Sequence, residues 1–472
     1  MKVVLSTPPG RTTELWPPLG LLYVASSCLQ RREGSDDIKV IDAFCENLTE
    51  AELVSRIGSE RPDVLGMNCS THTFLDTIST LRAVDEAMPE TKLVLGGMHA
   101  TFASEMILRD YPFVDYIVVG EGEESFPRLL NHIDEGTPPS DVPGIGFTDN
   151  GQPTVKPDSL IEDLDTLPFP DRSLLPDIDY GYTHENIRLT YGKFTTISSS
   201  RGCPFRCSYC SCAAFSKRIW RPRSPENVVD ELERIYGDGY ECCVFVDDNL
   251  TLNRGRMERI CELIRERKVK MQFYCEGRVD NTPYSLMRQM KQAGFNVMYF
   301  GVESGQKHVL NYYRKMIDVG DSRRAVADAK RAGMIVVTSY IMGAPVETKD
   351  DMDKTIDLIR AMRAHGVQIN ILDCLVGTDI WSELERDGVV GADDWKTNHR
   401  IYEYSDNGIT RADLEAAVNR GYTAYLDAWK SVEGVKELVK TVITNRTART
   451  VVARNLLNPH VRIKISDGRR FK

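Results

Sequence analysis

Polar and apolar positions alternate along this chain in two long series. In residues 1–135 the short apolar runs are Val3-Val4-Leu5, Ile38-Lys39-Val40-Ile41, Val64-Leu65-Gly66-Met67, Leu93-Val94-Leu95 and Tyr116-Ile117-Val118-Val119. Between them lie stretches such as 49–59 and 74–88, whose apolar residues recur every third or fourth position. The runs predict strands and the stretches predict amphipathic helices. Five such units make an α/β fold with a doubly wound parallel sheet.

The second series runs over 196–375. Its strand candidates are Cys242-Cys243-Val244-Phe245-Val246, Met271-Gln272-Phe273-Tyr274-Cys275, Val297-Met298-Tyr299-Phe300, Val336-Val337-Thr338-Ser339-Tyr340-Ile341 and Gln368-Ile369-Asn370-Ile371-Leu372. With the extended run ahead of residue 203 they make six, an incomplete TIM-like (β/α)6 barrel. Barrel chemistry sits on the loops after the strands.

Residues 136–195 break the rhythm. Prolines at 138, 139, 143, 153, 157, 168, 170 and 176 exclude a long helix or central strand there. The stretch predicts a connector packed across both domains. Residues 376–472 are helical in pattern and aromatic, with Trp381, Trp395, Tyr402, Tyr404, Tyr422, Tyr425 and Trp429. We expect them to close the open side of the partial barrel as a lid and substrate pocket.

Composition changes this picture only by exclusion. With 42% hydrophobic and 27% charged residues the chain is ordinary globular protein, and a net charge of -10 argues against a broad nucleic-acid surface. The apolar run at the start is too short for a signal peptide, and nowhere do eighteen apolar residues follow one another, so a cytoplasmic location is expected. Residues 446–472 carry eight Lys or Arg against one Asp. Such a tail suits an anionic substrate, peripheral contact with an anionic membrane, or plain solvation.

The twelve cysteines lack regular disulfide spacing, but three of them are grouped. Cys203, Cys207 and Cys210 stand at C-x3-C-x2-C spacing on one short loop with Gly202 and Pro204. A turn offers a core cysteine little to pack against, so the group reads as a metal centre. Structural zinc would need a further C-x2-C or His pair, and none follows. A three-cysteine iron-sulfur cluster instead leaves one iron open for a substrate or cofactor. The remaining thiols, among them Cys212, Cys242, Cys243, Cys261 and Cys275, read as core or surface residues.

This spacing, with Tyr209 just before the third cysteine, resembles the signature of the radical S-adenosylmethionine (SAM) superfamily. The resemblance implies a [4Fe-4S] cluster on Cys203, Cys207 and Cys210 whose open iron binds SAM. It also implies cleavage of SAM to a 5'-deoxyadenosyl radical that attacks an unactivated C–H bond. SAM needs acceptors for its amine and hydroxyls and a donor for its carboxylate. Asp247, Asp248, Asn249, Arg278, Gly301, Glu303, Gly343 and Pro345 follow successive strands and are the expected contacts, with Tyr209. Strand-end capping or surface ion pairing is the bland alternative for each acid.

The N-terminal strand ends are rich in Gly and small hydroxyls, and ligands of doubly wound sheets sit beyond such ends. The run of Pro17-Pro18-Leu19-Gly20, Ile41-Asp42-Ala43, Leu95-Gly96-Gly97-Met98-His99 and Gly120-Glu121-Gly122-Glu123 resembles the cobalamin-binding domain that precedes many radical SAM domains. It implies cobalamin contacts at Thr7, Pro8, Ser70, Thr71, Gly96, Gly97, His99, Gly120, Glu121 and Gly122. The first βα loop, 6–19, has no histidine, so the Asp-x-His-x-x-Gly motif for a lower cobalt ligand is missing. His72 and His99 read either as ligands or as loop histidines satisfied by hydrogen bonds.

The resemblance implies a cobalamin-dependent radical SAM enzyme acting on a small-molecule or lipid substrate, with an external electron donor of flavodoxin or ferredoxin type. C-methylation is the first reading, giving S-adenosylhomocysteine and 5'-deoxyadenosine in equal amounts. A non-methylating cyclase-like or lipid-modifying reaction is the second, and a non-catalytic cobalamin-binding module the third. Methylthiotransferases would need an additional N-terminal cysteine set, and Cys28, Cys45 and Cys69 do not form one.

Overall fold

Short β-branched runs followed by amphipathic helices build both halves of the computed structural model, which describes residues 1–10, 15–32, 36–181, 192–445 and 447–450. Two compact units divide the chain. The first comprises Met1–Asp179, Ala214–Lys217 and Leu375–Asn398, and the second Tyr180–Ala213, Arg218–Cys374 and the residues from His399 on.

The first unit begins β1 (Lys2–Ser6), α1 (Leu19–Arg31), β2 (Asp37–Ile41), α2 (Glu50–Glu60), β3 (Val64–Asn68), α3 (Phe74–Ala87) and β4 (Lys92–Gly96). It continues α4 (Met98–Phe102), α5 (Ser104–Asp110), β5 (Tyr116–Val118), α6 (Gly122–Glu135), β6 (Ile145–Asp149) and β7 (Gln152–Val155). Local chemistry sets the start of α2. Thr49 caps α2, its hydroxyl accepting from the Glu52 N–H while the Glu52 carboxylate accepts from the Thr49 N–H. A cap of this kind is worth about 1 kcal/mol.

The sheet order is β2-β1-β3-β4-β5-β6-β7, with β1 to β5 parallel. The chain winds outward from β1 in both directions, so the switch point lies between β1 and β3. The connector is more than a linker. Its start forms the antiparallel pair β6 and β7, which extends the sheet beyond β5. Pro153 sits on edge strand β7, where a missing N–H costs no ladder bond. Farther along, Ile161, Leu164 and Leu167 pack on Tyr23 of α1.

The second unit holds β8 (Phe194–Ile197), β9 (Ser200–Arg201), α7 (Ser211–Phe215), β10 (Arg221–Pro222), α8 (Pro225–Gly237), β11 (Cys242–Phe245) and α9 (Arg254–Glu266). After these come β12 (Gln272–Gly277), α10 (Tyr284–Gln292), β13 (Phe295–Glu303), α11 (Lys307–Tyr312), α12 (Val319–Arg331), β14 (Ile335–Met342), α13 (Lys349–Met362) and β15 (Gly366–Ile371). The last elements of the chain are β16 (Asp373–Cys374), α14 (Asp379–Arg386), β17 (His399–Arg400), α15 (Arg411–Lys430) and α16 (Val432–Thr444).

Six parallel strands make one sheet in the order β15-β14-β13-β12-β11-β8, matching the partial barrel expected. Phe245, Phe273 and Phe295 stack between strands and helices with ring centroids 5.0–5.7 Å apart. Every residue of β14 is buried, as expected of an inner parallel strand covered on both faces.

The C-terminal segment divides. Residues 375–398 fold with the first unit, whereas α15 covers the outer side of β15 and α13. Gly421 lets it approach closely, because a Cβ there would stand 2.5 Å from Ile369. The Tyr422 hydroxyl accepts from the Ile369 N–H, and Tyr425 and Trp429 donate to the carbonyls of His365 and Ala364. Tyr422 therefore covers a backbone group of edge strand β15, and Tyr425 and Trp429 satisfy the turn leading into it, a need that hydrophobic pattern cannot reveal. No described helix is long and apolar enough to cross a membrane. The basic stretch 446–472 lies, apart from 447–450, outside the described residues.

Candidate active site

The cluster loop leaves β8 at the carboxyl end of the second sheet. Its base is held by Asp247, which follows β11 and is 2% exposed. Ser199 donates to this carboxylate through its N–H at 3.0 Å and its hydroxyl at 2.7 Å, and the Ser200 hydroxyl donates at 2.5 Å. Asp247 is thus spent on the loop. Asp248 accepts from the Gly202 N–H at 2.9 Å and is exposed. Asn249 is buried, accepts from Asn281 and points its amide toward the Cys203 sulfur at 4.0 Å.

Cys203, Cys207 and Cys210 are half-buried and, with Cys212, are the cysteines that are not fully buried. Burial pushes the Cys203 and Cys207 thiols up, while the nearby Arg278 and, for Cys207, Lys315 pull toward thiolate. The Cys212 S–H donates to Cys210 and draws its thiol down. Among the described residues no three metal-ligating side chains converge as ligands of a single ion would. A [4Fe-4S] cubane binds each thiolate through a different iron, so its ligands stand farther apart. The half-exposed thiols beside two cations fit that group.

Behind the loop, Tyr209 donates to Glu303 Oε1 at 3.0 Å, and the Lys315 ammonium meets the same oxygen at 2.8 Å. Ser208 anchors the loop to the carbonyls of Tyr312 and Tyr313. Burial works against the Lys315 charge, but Glu303 and Cys207 outweigh it and hold the ammonium above its ordinary range. Glu303 adopts φ +65° at a bulge in β13. A non-glycine residue there stores of order 1–3 kcal/mol of strain. Gly301 and Glu303 thus lie within β13 rather than on the loop after it.

Arg278 is placed differently from the expectation of a free carboxylate donor. Its guanidinium is paired with both Asp280 oxygens, donates to the Lys315 carbonyl at 2.8 Å and lies 3.6 Å over the Phe205 ring. Gly343 has φ +98°, and its N–H and that of Ala344 donate to Glu347. Asn407 holds the carbonyls of Ala344, Pro345 and Glu347. Lys315, Ser199 and Ser339, which reaches Glu303 at 3.5 Å, were not legible as site residues. Only their neighbours in the fold distinguish them from other lysines and serines.

In the first unit the expected cobalamin residues gather along one edge, since β1, β3, β4 and β5 are sheet neighbours pointing the same way. Thr7 is bonded to Asp42 and the Phe44 N–H, and Pro8 is buried beside it. Ser70 and Thr71 follow β3, with Ser70 exposed. Gly97 has φ +94°, and a Cβ there would stand 2.7 Å from the Cys69 carbonyl. Gly120 donates to Thr101, the Glu121 carboxylate accepts from the Ile161 N–H, and Gly122 opens α6.

His99 sits on the short helix α4 and is 1% exposed. Its Nδ1 meets the Thr71 hydroxyl at 3.1 Å, and its ring lies against Phe74 and Trp395. Burial pulls its pKa down to about 4, so the ring is neutral. The reading of His99 as a satisfied histidine holds for one nitrogen alone: Nε2 is buried without a hydrogen-bond partner among the described residues. Buried polar atoms are seldom left so, and this one at the strand ends fits a polar cofactor.

Residues 197–359 match the Radical SAM superfamily and residues 10–130 the B12 binding domain. The chain is 30% identical to an uncharacterized methyltransferase of Pyrococcus horikoshii, over 81% of this chain and 82% of that protein. It is 29% identical to the anaerobic magnesium-protoporphyrin IX monomethyl ester cyclase of Rubrivivax gelatinosus, over 73% of this chain and 62% of the cyclase. Its fold is that of the radical SAM methyltransferase TsrM from Kitasatospora setae, with TM-score 0.71 and 15% identity over 90% of this chain and 88% of TsrM. A [4Fe-4S] cluster and SAM go with the first domain family and cobalamin with the second. The chain therefore belongs to the radical SAM superfamily, among the enzymes that carry a B12 binding domain ahead of the radical SAM domain.

Proposed function

We propose that this enzyme transfers a methyl group to an unactivated carbon of a small molecule. One observation carries the reading: a single chain joins a strand-end edge suited to cobalamin with a three-thiol loop at the mouth of a parallel six-stranded sheet. The methyltransferase of Pyrococcus horikoshii, similar along four-fifths of both chains, supports it.

When bound, the cluster supplies the electron that cleaves SAM to a 5'-deoxyadenosyl radical, and cobalamin supplies the methyl group. In this reading Cys203, Cys207 and Cys210 hold the cluster, and Asp247 holds their loop in shape. Asp248 keeps acceptor capacity for the SAM amine. Glu303 and the Gly343–Pro345 turn lie along the rest of the ligand, while Arg278 is taken up by Asp280 and the Lys315 carbonyl and Lys315 by Glu303. In the first unit Ser70, Thr71, Gly96, Gly97 and the 120–122 turn border the cobalamin, and His99 offers it Nε2. An electron donor of flavodoxin or ferredoxin type and a cytoplasmic location complete the proposal.

The test is to purify the protein without oxygen, supply cobalamin and follow SAM products under reduction. Equal S-adenosylhomocysteine and 5'-deoxyadenosine support methyl transfer. Similarity to the cyclase favours a second reading, ring formation, for which 5'-deoxyadenosine appears without S-adenosylhomocysteine. Cobalamin binding without an iron-sulfur absorption band would overturn both and leave a binding module.

A further inference from the structure

The two faces of the second sheet differ in kind. Cys275 of β12, Met298 and Phe300 of β13, Tyr340 and Met342 of β14 and Ile369 of β15 belong to the helix-covered core. Side chains alternate along a strand, so the residues between them face the concave side. There stand Glu276, Tyr299, Ser339, Gln368 and Asn370. Glu276 lies beside Tyr299 in the β12–β13 register and Ser339 beside Gln368 in the β14–β15 register; between β13 and β14 the register sets Val337 beside Tyr299 and Gly301 beside Ser339, so the two polar pairs are offset by two residues and joined diagonally by Tyr299 and Gln368.

This polar set is internally ordered and only partly used. The Tyr299 hydroxyl donates to Gln368 Oε1 at 2.8 Å, and the Gln368 amide reaches Asn370 Oδ1 at 3.4 Å. Gln368 and Asn370 are exposed. Glu276 makes no hydrogen bond or ion pair among the described residues. It opens into the concavity, yet the protein around it and the charge of Asp248 push its carboxyl up to about 7. Ser339 reaches Glu303 at 3.5 Å, whereas Glu276, Tyr299, Gln368 and Asn370 make no hydrogen bond to the cluster loop or to the Lys315–Glu303 pair among the described residues.

On the reading of this protein as a carbon-modifying enzyme, we infer that Glu276, Tyr299, Gln368 and Asn370 form its substrate-recognition strip. The strip takes a substrate bearing a hydrogen-bond donor, a hydroxyl or an amine, near the carbon that reacts. A carboxylate or phosphate would face Glu276, Asp248 and Glu303, with the nearest ammonium, Lys315, already paired. A bare hydrocarbon would strip water from Gln368, Asn370 and Glu276 and return no hydrogen bond. The donor meets Glu276, or the second lone pair of Gln368 Oε1 or Asn370 Oδ1, while Tyr299 positions Gln368.

Binding read without reductant, and so without turnover, separates this inference from the proposed reaction. The anaerobic protein carrying cluster and cobalamin is titrated with hexylamine, 1-hexanol, hexanoate and 1-methoxypentane, and binding is followed by saturation-transfer NMR. We expect hexylamine and 1-hexanol to bind about tenfold tighter than the carboxylate and the ether. Glu276→Gln abolishes the preference for the amine and keeps the alcohol, whereas Gln368→Leu with Asn370→Leu loses the alcohol. Circular dichroism and cluster absorption check that the variants fold. Equal binding of hexanoate or the ether, or unchanged binding by folded variants, overturns the inference. SAM products seen in spite of that would leave the proposed function standing.

Discussion

The Lys315 ammonium stands 2.8 Å from Glu303 Oε1, and both side chains are buried behind the cluster loop. An ion pair so placed gives little net stability, but removing one partner strands the other charge, at a cost of about 3–5 kcal/mol. Lys315→Met is therefore expected to lower the urea midpoint sharply. Lys315→Met combined with Glu303→Leu should cost less than the sum of the single changes. An additive double variant would show that the two do not interact.

Gly301 makes room for this pair. A Cβ at that position would stand 2.3 Å from Glu303 Oε1 and 2.8 Å from Lys315 Nζ. Gly301→Ala should destabilise the second unit by about 1–3 kcal/mol, the usual range for overpacking. In the proposed role of the site it also weakens SAM binding, which equilibrium dialysis with labelled SAM would measure.

Cys212 neighbours the triad and is half-buried like it, yet its S–H serves as a donor to Cys210. Alanine at Cys203, Cys207 or Cys210 is expected to abolish the iron-sulfur absorption of the reconstituted protein. Cys212→Ala should retain iron near the wild-type ratio, and loss of iron in that variant would assign Cys212 a ligand role.

Gly97 holds φ +94° with the Cys69 carbonyl where a Cβ would go. Gly97→Ala combines backbone strain with a backbone clash that no side-chain rotation relieves. We expect a loss of about 2 kcal/mol in the first unit and much weaker uptake of cobalamin, read from the visible spectrum after desalting.

Glu347 is 2% exposed, and burial pushes its carboxyl up to about 7, against the pull of the Gly343 and Ala344 N–H donors. The folded state thus keeps a proton that the unfolded chain releases near the ordinary Glu value of about 4.3. Stability from this group is full below the unfolded value and is lost as pH rises toward about 7. The loss grows by about 1.4 kcal/mol for each pH step of one between the two values, and Glu347→Gln removes it. Urea midpoints of the two proteins should converge in acid and separate in favour of the variant at neutral pH.

The parts of this fold that were legible in the sequence are those that depend on near neighbours. Strand runs such as Val3-Val4-Leu5 and helix faces such as that of α8 carry their period in the residues themselves. So does the thiol spacing of Cys203, Cys207 and Cys210. The six-stranded parallel sheet followed from these repeats, because a strand–helix–strand unit has few ways to pack. The edge pair β6 and β7 was hidden by prolines, which an edge strand tolerates and a central strand does not.

What only tertiary structure decided was which polar groups remain unspent. Asp247, Asp248, Arg278 and Glu303 look alike in the sequence as charges after strands. The fold commits Asp247 to two serines and Arg278 to Asp280, pairs Glu303 with Lys315, ties Asp248 to the Gly202 N–H, and leaves Glu276 without a hydrogen-bond partner among the described residues. It likewise brings Trp395 against His99, nearly three hundred residues earlier in the chain, and leaves one imidazole nitrogen without a partner among the described residues. Periodicity records which face of an element is buried, since burial repeats along the element. Hydrogen bonds between distant segments have no period, and they are settled only when the chain has folded and its buried polar atoms must find partners.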